Sequence, residues 1–166
     1  HDRLTASDIK KMEEEIEYRK VILRKELLED VKDARAQGDL SENFEYYAAK
    51  KAKNKNESRI RFLERMIKTA HVIDDSSKDD EVGMNDRVEV YMEEDDVVES
   101  YRIVTTVRAN SLNNLISIES PLGKALMRKH VGDRVEVQIN PTYSYYVVIK
   151  NIEKIDDDSE DRIRSY

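Results

Sequence analysis

Between residues 1 and 80 the chain has a single glycine, Gly38, and no proline. So long a stretch almost free of backbone helix breakers restricts the folds available to it. On the N-terminal side of Gly38, apolar residues fall at Ile9, Met12, Ile16, Leu23, Leu27, Val31 and Ala34, in steps of three, four or seven. On its C-terminal side the seam reads Ala49, Ala52, Asn56, Ile60, Leu63, Ile67 and Ala70. Both patterns are those of a helix with one apolar face. They predict a first helix over residues 7–37, N-capped by Thr5 or Ser7 with Asp8 in its first turn. A second helix is predicted over residues 41–69, with Ser41 as its cap. Each spans roughly 45 Å. Gly38 ends the first helix in the left-handed conformation that glycine adopts at low cost. So short a connection folds the pair into an antiparallel hairpin. Asn56, polar within the seam, is read as a register-fixing residue.

The pattern changes after residues 75–81 (DSSKDDE), a charged linker without apolar side chains. Alternation of period two follows at Val88-Glu89-Val90-Tyr91-Met92, and Tyr101 to Val107 is rich in β-branched residues. Asn113-Asn114 is a turn signal before Leu115-Ile116-Ser117-Ile118. Ser120 caps a short helix that begins at Pro121. Gly132-Asp133 turns into Arg134-Val135-Glu136-Val137, and a long strand covers residues 145–155. The fold class predicted is α+β: a helical coiled-coil hairpin (1–74), a linker (75–81) and a small sheet domain with one short helix (82–155). An acidic tail (156–166) is expected to be solvated and mobile.

Composition narrows the function classes. The chain lacks cysteine, so disulfide scaffolds and thiolate metal sites are excluded, and its three histidines are far apart. No apolar run is long enough for a membrane-spanning helix. The N-terminus carries no apolar signal region, so a cytoplasmic protein with no membrane partner is expected. The net charge of -7 conceals an asymmetry: residues 46–70 hold eight basic side chains against two acidic ones. An acidic protein thus carries one basic arm, and local sign governs how a charged partner is steered.

The tip motif Gly38-Asp39-Leu40-Ser41-Glu42-Asn43, with Glu45-Tyr46 and Ala48-Ala49-Lys50 after it, resembles the signature of the Gre family of bacterial transcript-cleavage factors, on its GreA side. The likeness continues through Arg59-Ile60, Leu63-Glu64 and Ala70-His71-Val72-Ile73-Asp74. It extends to Tyr101-Arg102-Ile103-Val104, Ser120-Pro121-Leu122-Gly123 and Val131-Gly132-Asp133. The resemblance implies a coiled-coil finger on an FKBP-like domain, working as a monomer on bacterial RNA polymerase. In that reading the globular domain docks at the rim of the polymerase secondary channel, through an edge containing Ser120 and Pro121. The finger brings Asp39 and Glu42 to the active centre. There the two acids hold a Mg²⁺ ion jointly with the polymerase, which cuts the 3′ end of a backtracked RNA. The factor is an accessory without an active site of its own. The alternatives are a secondary-channel regulator that does not promote cleavage and an unrelated coiled-coil adaptor.

The tip residues also have plainer readings. Asp-x-x-Glu before a helix is a capping-box-like pattern. Two carboxylates three residues apart are also suitable oxygen ligands for a hard cation, although two alone bind Mg²⁺ weakly. Some of Phe44, Tyr46 and Tyr47 are expected to pack on Val31 or Ala34 and stiffen the tip, the alternative being contact with RNA bases. Arg35, Lys50 and Lys53 can line one side of the arm and attract the RNA 3′ end, or form an ordinary solvated surface. A prolyl-isomerase pocket is lined by aromatics; the chain has no tryptophan, and both phenylalanines, Phe44 and Phe62, lie on the hairpin.

Overall fold

The hairpin is formed by helices on either side of Gly38 in the structure, a computed structural model that describes residues 2–39, 43–156 and 158–165. The chain divides into two units, residues 9–70 and residues 2–8 with 71–165.

In the helical unit, α1 (Ala6–Tyr18) passes through one π-helical turn (Arg19–Leu23) into α2 (Arg24–Arg35), and α3 (Phe44–Thr69) returns. Seam residues Ala34, Ile60 and Leu63 are buried, as predicted. Ala52 departs from the prediction: it is exposed, and Lys53 is half-buried instead. The π turn coincides with the seven-residue step in the apolar pattern. There Arg19 replaces an apolar residue and donates from Nη1 to Asn56 Oδ1 (2.9 Å). Asn56 Nδ2 donates in turn to the Arg19 carbonyl (3.2 Å), which also receives the Arg24 N–H. Inserted side-chain partners of this kind are a recognised cause of local departures from the α ladder. Asn56 is 2% exposed and paired on both faces of its amide, so it belongs to a polar layer that only one register satisfies.

Glu15 completes that layer, accepting from Arg19 Nε (2.7 Å), Arg59 Nε (2.8 Å) and Arg59 Nη2 (3.2 Å). Burial would raise the Glu15 carboxyl. The hydrogen bonds and charges of Arg59 and Arg19 outweigh it and hold the group below its ordinary value.

In the second unit the sheet order is β5-β4-β3-β7-β6, built from β3 (Arg87–Met92), β4 (Val97–Val104), β5 (Leu115–Ser117), β6 (Arg134–Asn140) and β7 (Tyr143–Glu153). Within this sheet, among the described residues, the β4–β5 pair is parallel and the other pairs are antiparallel. Alternate residues Val88, Val90, Val135, Val137, Val147 and Ile149 point into one core beneath the short helix α4 (Pro121–Leu126), which adds Leu122 and Leu126. Each fully buried side chain of this size contributes about 2 kcal/mol. Gly123 lets α4 approach the sheet, since a Cβ there would lie 2.0 Å from the Ser117 carbonyl oxygen. A two-stranded parallel ribbon, β1 (Arg3–Leu4) with β2 (His71–Val72), joins the chain's first residues to this unit.

The β-branched stretch from Tyr101 to Val107 is strand only as far as Val104, because Thr106–Arg108 is a 3₁₀ turn that carries Arg108 inward. One expectation is corrected. The acidic tail is not solvated along its whole length. Asp161 is 8% exposed, its two oxygens taken by Arg102 Nη1 (2.6 Å) and Arg108 Nη1 (2.8 Å).

Candidate functional site

Helix α2 ends two residues earlier than predicted, at Arg35. The Ala36 and Gln37 amides still donate to the Lys32 and Ala34 carbonyls (both 3.2 Å), which closes the last turn. Gly38 follows with φ +121, backbone that a side chain rarely adopts. Asp39 comes next and is exposed. Leu40, Ser41 and Glu42 lie outside the described residues, so the second tip acid, Glu42, has no structural description.

Helix α3 begins later than predicted, at Phe44, and its cap is Asn43 in place of Ser41. Asn43 Oδ1 accepts from the Tyr46 amide (3.0 Å), while Asn43 Nδ2 donates to the Ala34 carbonyl (2.6 Å). One side chain therefore satisfies an orphan donor at the start of α3 and gives a further hydrogen bond to the Ala34 carbonyl at the end of α2, which also accepts from Gln37. It clamps the two helix ends together at the tip.

Of the three tip aromatics, two are exposed and one is half-buried. Phe44 is 85% exposed and Tyr47 is 51% exposed. Tyr46 is half-buried, with its ring edge-on to Tyr47 (centroids 5.4 Å apart). The Arg35 guanidinium lies over the Tyr46 ring, 5.6 Å from its centroid. A hydrogen bond from Arg35 holds the Tyr46 phenol below its usual value against the opposing effect of burial, and the charges of Lys50, Arg35 and Lys53 add to it. The three basic residues singled out in the sequence thus act on one phenol. Beside them Tyr47, Lys50, Lys51, Asn54, Lys55 and Ser58 line an open groove of about 460 Å³ along the outer face of α3. Among the described residues no group of three or more potential metal ligands occurs.

The N-terminal domain of the transcription elongation factor family matches residues 3–72, and the GreA/GreB C-terminal domain matches residues 77–154. The chain belongs to the GreA/GreB family of transcription elongation factors. It is 48% identical over 137 residues to the transcription elongation factor GreA of Thermoanaerobacter pseudethanolicus, covering 82% of this chain and 87% of the relative. With GreA of Clostridium acetobutylicum it shares 42% identity over 147 residues, covering 88% and 93%. Among solved structures, the GreA factor homologue Gfh1 of Thermus thermophilus aligns at 24% identity over 93% of this chain and 99% of its own, with a TM-score of 0.43.

For a GreA/GreB protein the two proposed docking residues have a definite local setting. Ser120 Oγ accepts from the Gly123 amide (3.0 Å) and donates to the Ser117 carbonyl (2.6 Å), the cap predicted from sequence. Pro121 occupies the first turn of α4 and is exposed. Exposed Glu119, just before them, pairs with Arg3 Nε at 2.6 Å. No helix among the described residues is long and apolar enough to cross a membrane.

Two residues that position the tip, Asn43 and Tyr46, were weaker in the sequence. Asn43 carried a signal, since asparagine three residues before a helical amide is a favoured N-cap, but Ser41 competed for the same role. The grouping of cations around Tyr46 depends on Arg35 reaching across from α2, which spacing along α3 cannot reveal.

Proposed function

We propose that this elongation factor acts on RNA polymerase, inserting its helical hairpin into the secondary channel and stimulating the polymerase's own cleavage of backtracked RNA. The observation that carries the reading is the construction of the tip. Asp39 is exposed directly after Gly38, whose φ of +121 suits glycine, and Asn43 caps α3 and ties it to the end of α2. The arm behind it is long: the 26 residues of α3 span about 39 Å. The matched family and its GreA relatives agree with the reading.

Chemically the tip suits a shared metal site. Asp39 and Glu42 supply carboxylate oxygens, the donors that Mg²⁺ prefers, and two such ligands leave room for others from a partner. An ion held there would supply Lewis acidity and an activated water. What this chain itself contributes is delivery and charge. Asn43 fixes the tip, Asp39 and Glu42 place negative charge at its end, and Arg35, Lys50 and Lys53 set a positive field along the adjacent face for a phosphate backbone. Ser120 and Pro121 form part of the polymerase-docking edge. Factor and polymerase combine as one monomer per enzyme.

The test is an RNA-cleavage assay on defined backtracked elongation complexes with the Asp39→Ala/Glu42→Ala double variant. The expected result is retained polymerase binding with loss of stimulation. Full stimulation by the double variant would refute the tip-acid mechanism. Binding of the native chain without any stimulation would favour the alternative, a non-cleaving secondary-channel regulator.

A further inference from the structure

The segment after residue 154, where the family match ends, builds an ionic core. Arg102 and Arg108 are 8% and 1% exposed. Two buried guanidiniums side by side repel each other and lose hydration, so they require compensating oxygens. Asp161 bridges them, one oxygen to each. Arg108 Nε also donates to Asp8 Oδ1 at 2.6 Å, and its Nη1 donates to Asn85 Oδ1 at 2.7 Å. Asp158 lies 4.0 Å from the same Nη1. Arg108 Nη2 is buried and has no partner among the described residues. The segment is also held by its backbone, through the Arg164 amide to the Val107 carbonyl at 2.7 Å.

The opposite side of Arg108 is equally well built. Asp8 is fully buried and makes a reciprocal cap with Thr5: the Thr5 amide donates to Asp8 Oδ2 (3.0 Å) and the Asp8 amide to Thr5 Oγ1 (3.1 Å). Thr105 Oγ1 donates to the same Asp8 oxygen at 2.8 Å. A single guanidinium therefore holds the first turn of α1 on one side and the C-terminal segment on the other.

We propose that residues 158–165 are a strap that closes a two-arginine oxyanion pocket, with Asp161 as its resident carboxylate, and that this closure secures the Thr5–Asp8 turn through Arg108. The pocket is defined by chemistry that accepts any small carboxylate once Asp161 is gone. The strap is thus a working part of the second unit although it lies beyond the matched family region.

The test uses the full chain with Asp161→Ala, followed by thermal melting and amide hydrogen exchange. Losing one partner of a buried ion pair is expected to lower the melting temperature by on the order of 10 °C. Exchange at the Thr5 and Asp8 amides should rise about tenfold. Acetate should restore part of the lost stability in the variant and leave the native chain unchanged. In an Arg102→Met/Arg108→Met background, Asp161→Ala should cause no further loss, which separates the ionic closure from general packing. An unchanged melting temperature, absence of acetate rescue, or an equal loss in the double-methionine background would each overturn the proposal.

Discussion

Asn43→Ala is the perturbation that tests how the tip is held. The substitution removes the cap on the Tyr46 amide and the bond to the Ala34 carbonyl together. A lost N-cap costs about 1 kcal/mol, and a net hydrogen bond contributes a similar amount, about 1 kcal/mol. Local opening of the hairpin end should become easier by about 2 kcal/mol, a roughly 30-fold rise in the open population. Hydrogen exchange followed by NMR reads this directly at the Tyr46 and Tyr47 amides, with the Ile60 and Leu63 amides as an internal reference. Exchange should accelerate roughly 30-fold at the tip and stay unchanged in the reference region. Asn43→Asp keeps the accepting oxygen and loses the donor, so it should fall between the native chain and the alanine variant. Equal exchange in all three proteins would refute the clamp.

Two further outcomes follow from the polar layer of the hairpin. Asn56→Ala removes both hydrogen bonds to Arg19, each contributing about 1 kcal/mol net, so it should destabilise the helical unit by about 2 kcal/mol in thermal or urea unfolding; a cost near zero would show that the layer does not contribute. Glu15 has a carboxyl held low in the folded chain, so its stabilisation is fully present above the unfolded glutamate value of about 4.3 and is lost as pH falls through the folded value. The stability gap between the native chain and Glu15→Gln should therefore be largest near neutral pH and shrink below about pH 4, and a gap that widens on acidification would contradict the sign.

The helical hairpin was the part most open to sequence reading, because periodicity, a lone glycine and the lack of proline all agree over 70 residues. Ile60 and Leu63 are where the seam placed them. The α+β class of the remainder followed from the change of period, and Ser120-Pro121 announced helix α4 through local chemistry that tertiary structure had no reason to override. What escaped was long-range and polar. Arg108 drew no reading from the sequence, yet its guanidinium is fully buried against Asp8 and Asp161, 100 and 53 residues away. An acidic run reads as solvated unless its buried counter-charges are known. At the tip, Ser41 was read as the cap of the second helix, whereas the Asn43 side chain accepts the Tyr46 amide and also reaches across to α2.

The most direct test of the central claim is the Mg²⁺ dependence of RNA cleavage in a defined backtracked complex, with the native factor compared against Asp39→Asn. If Asp39 helps hold the ion, the variant should need markedly more Mg²⁺ for half-maximal stimulation, while its binding to polymerase is unaltered. Identical Mg²⁺ curves for the two proteins would contradict the account.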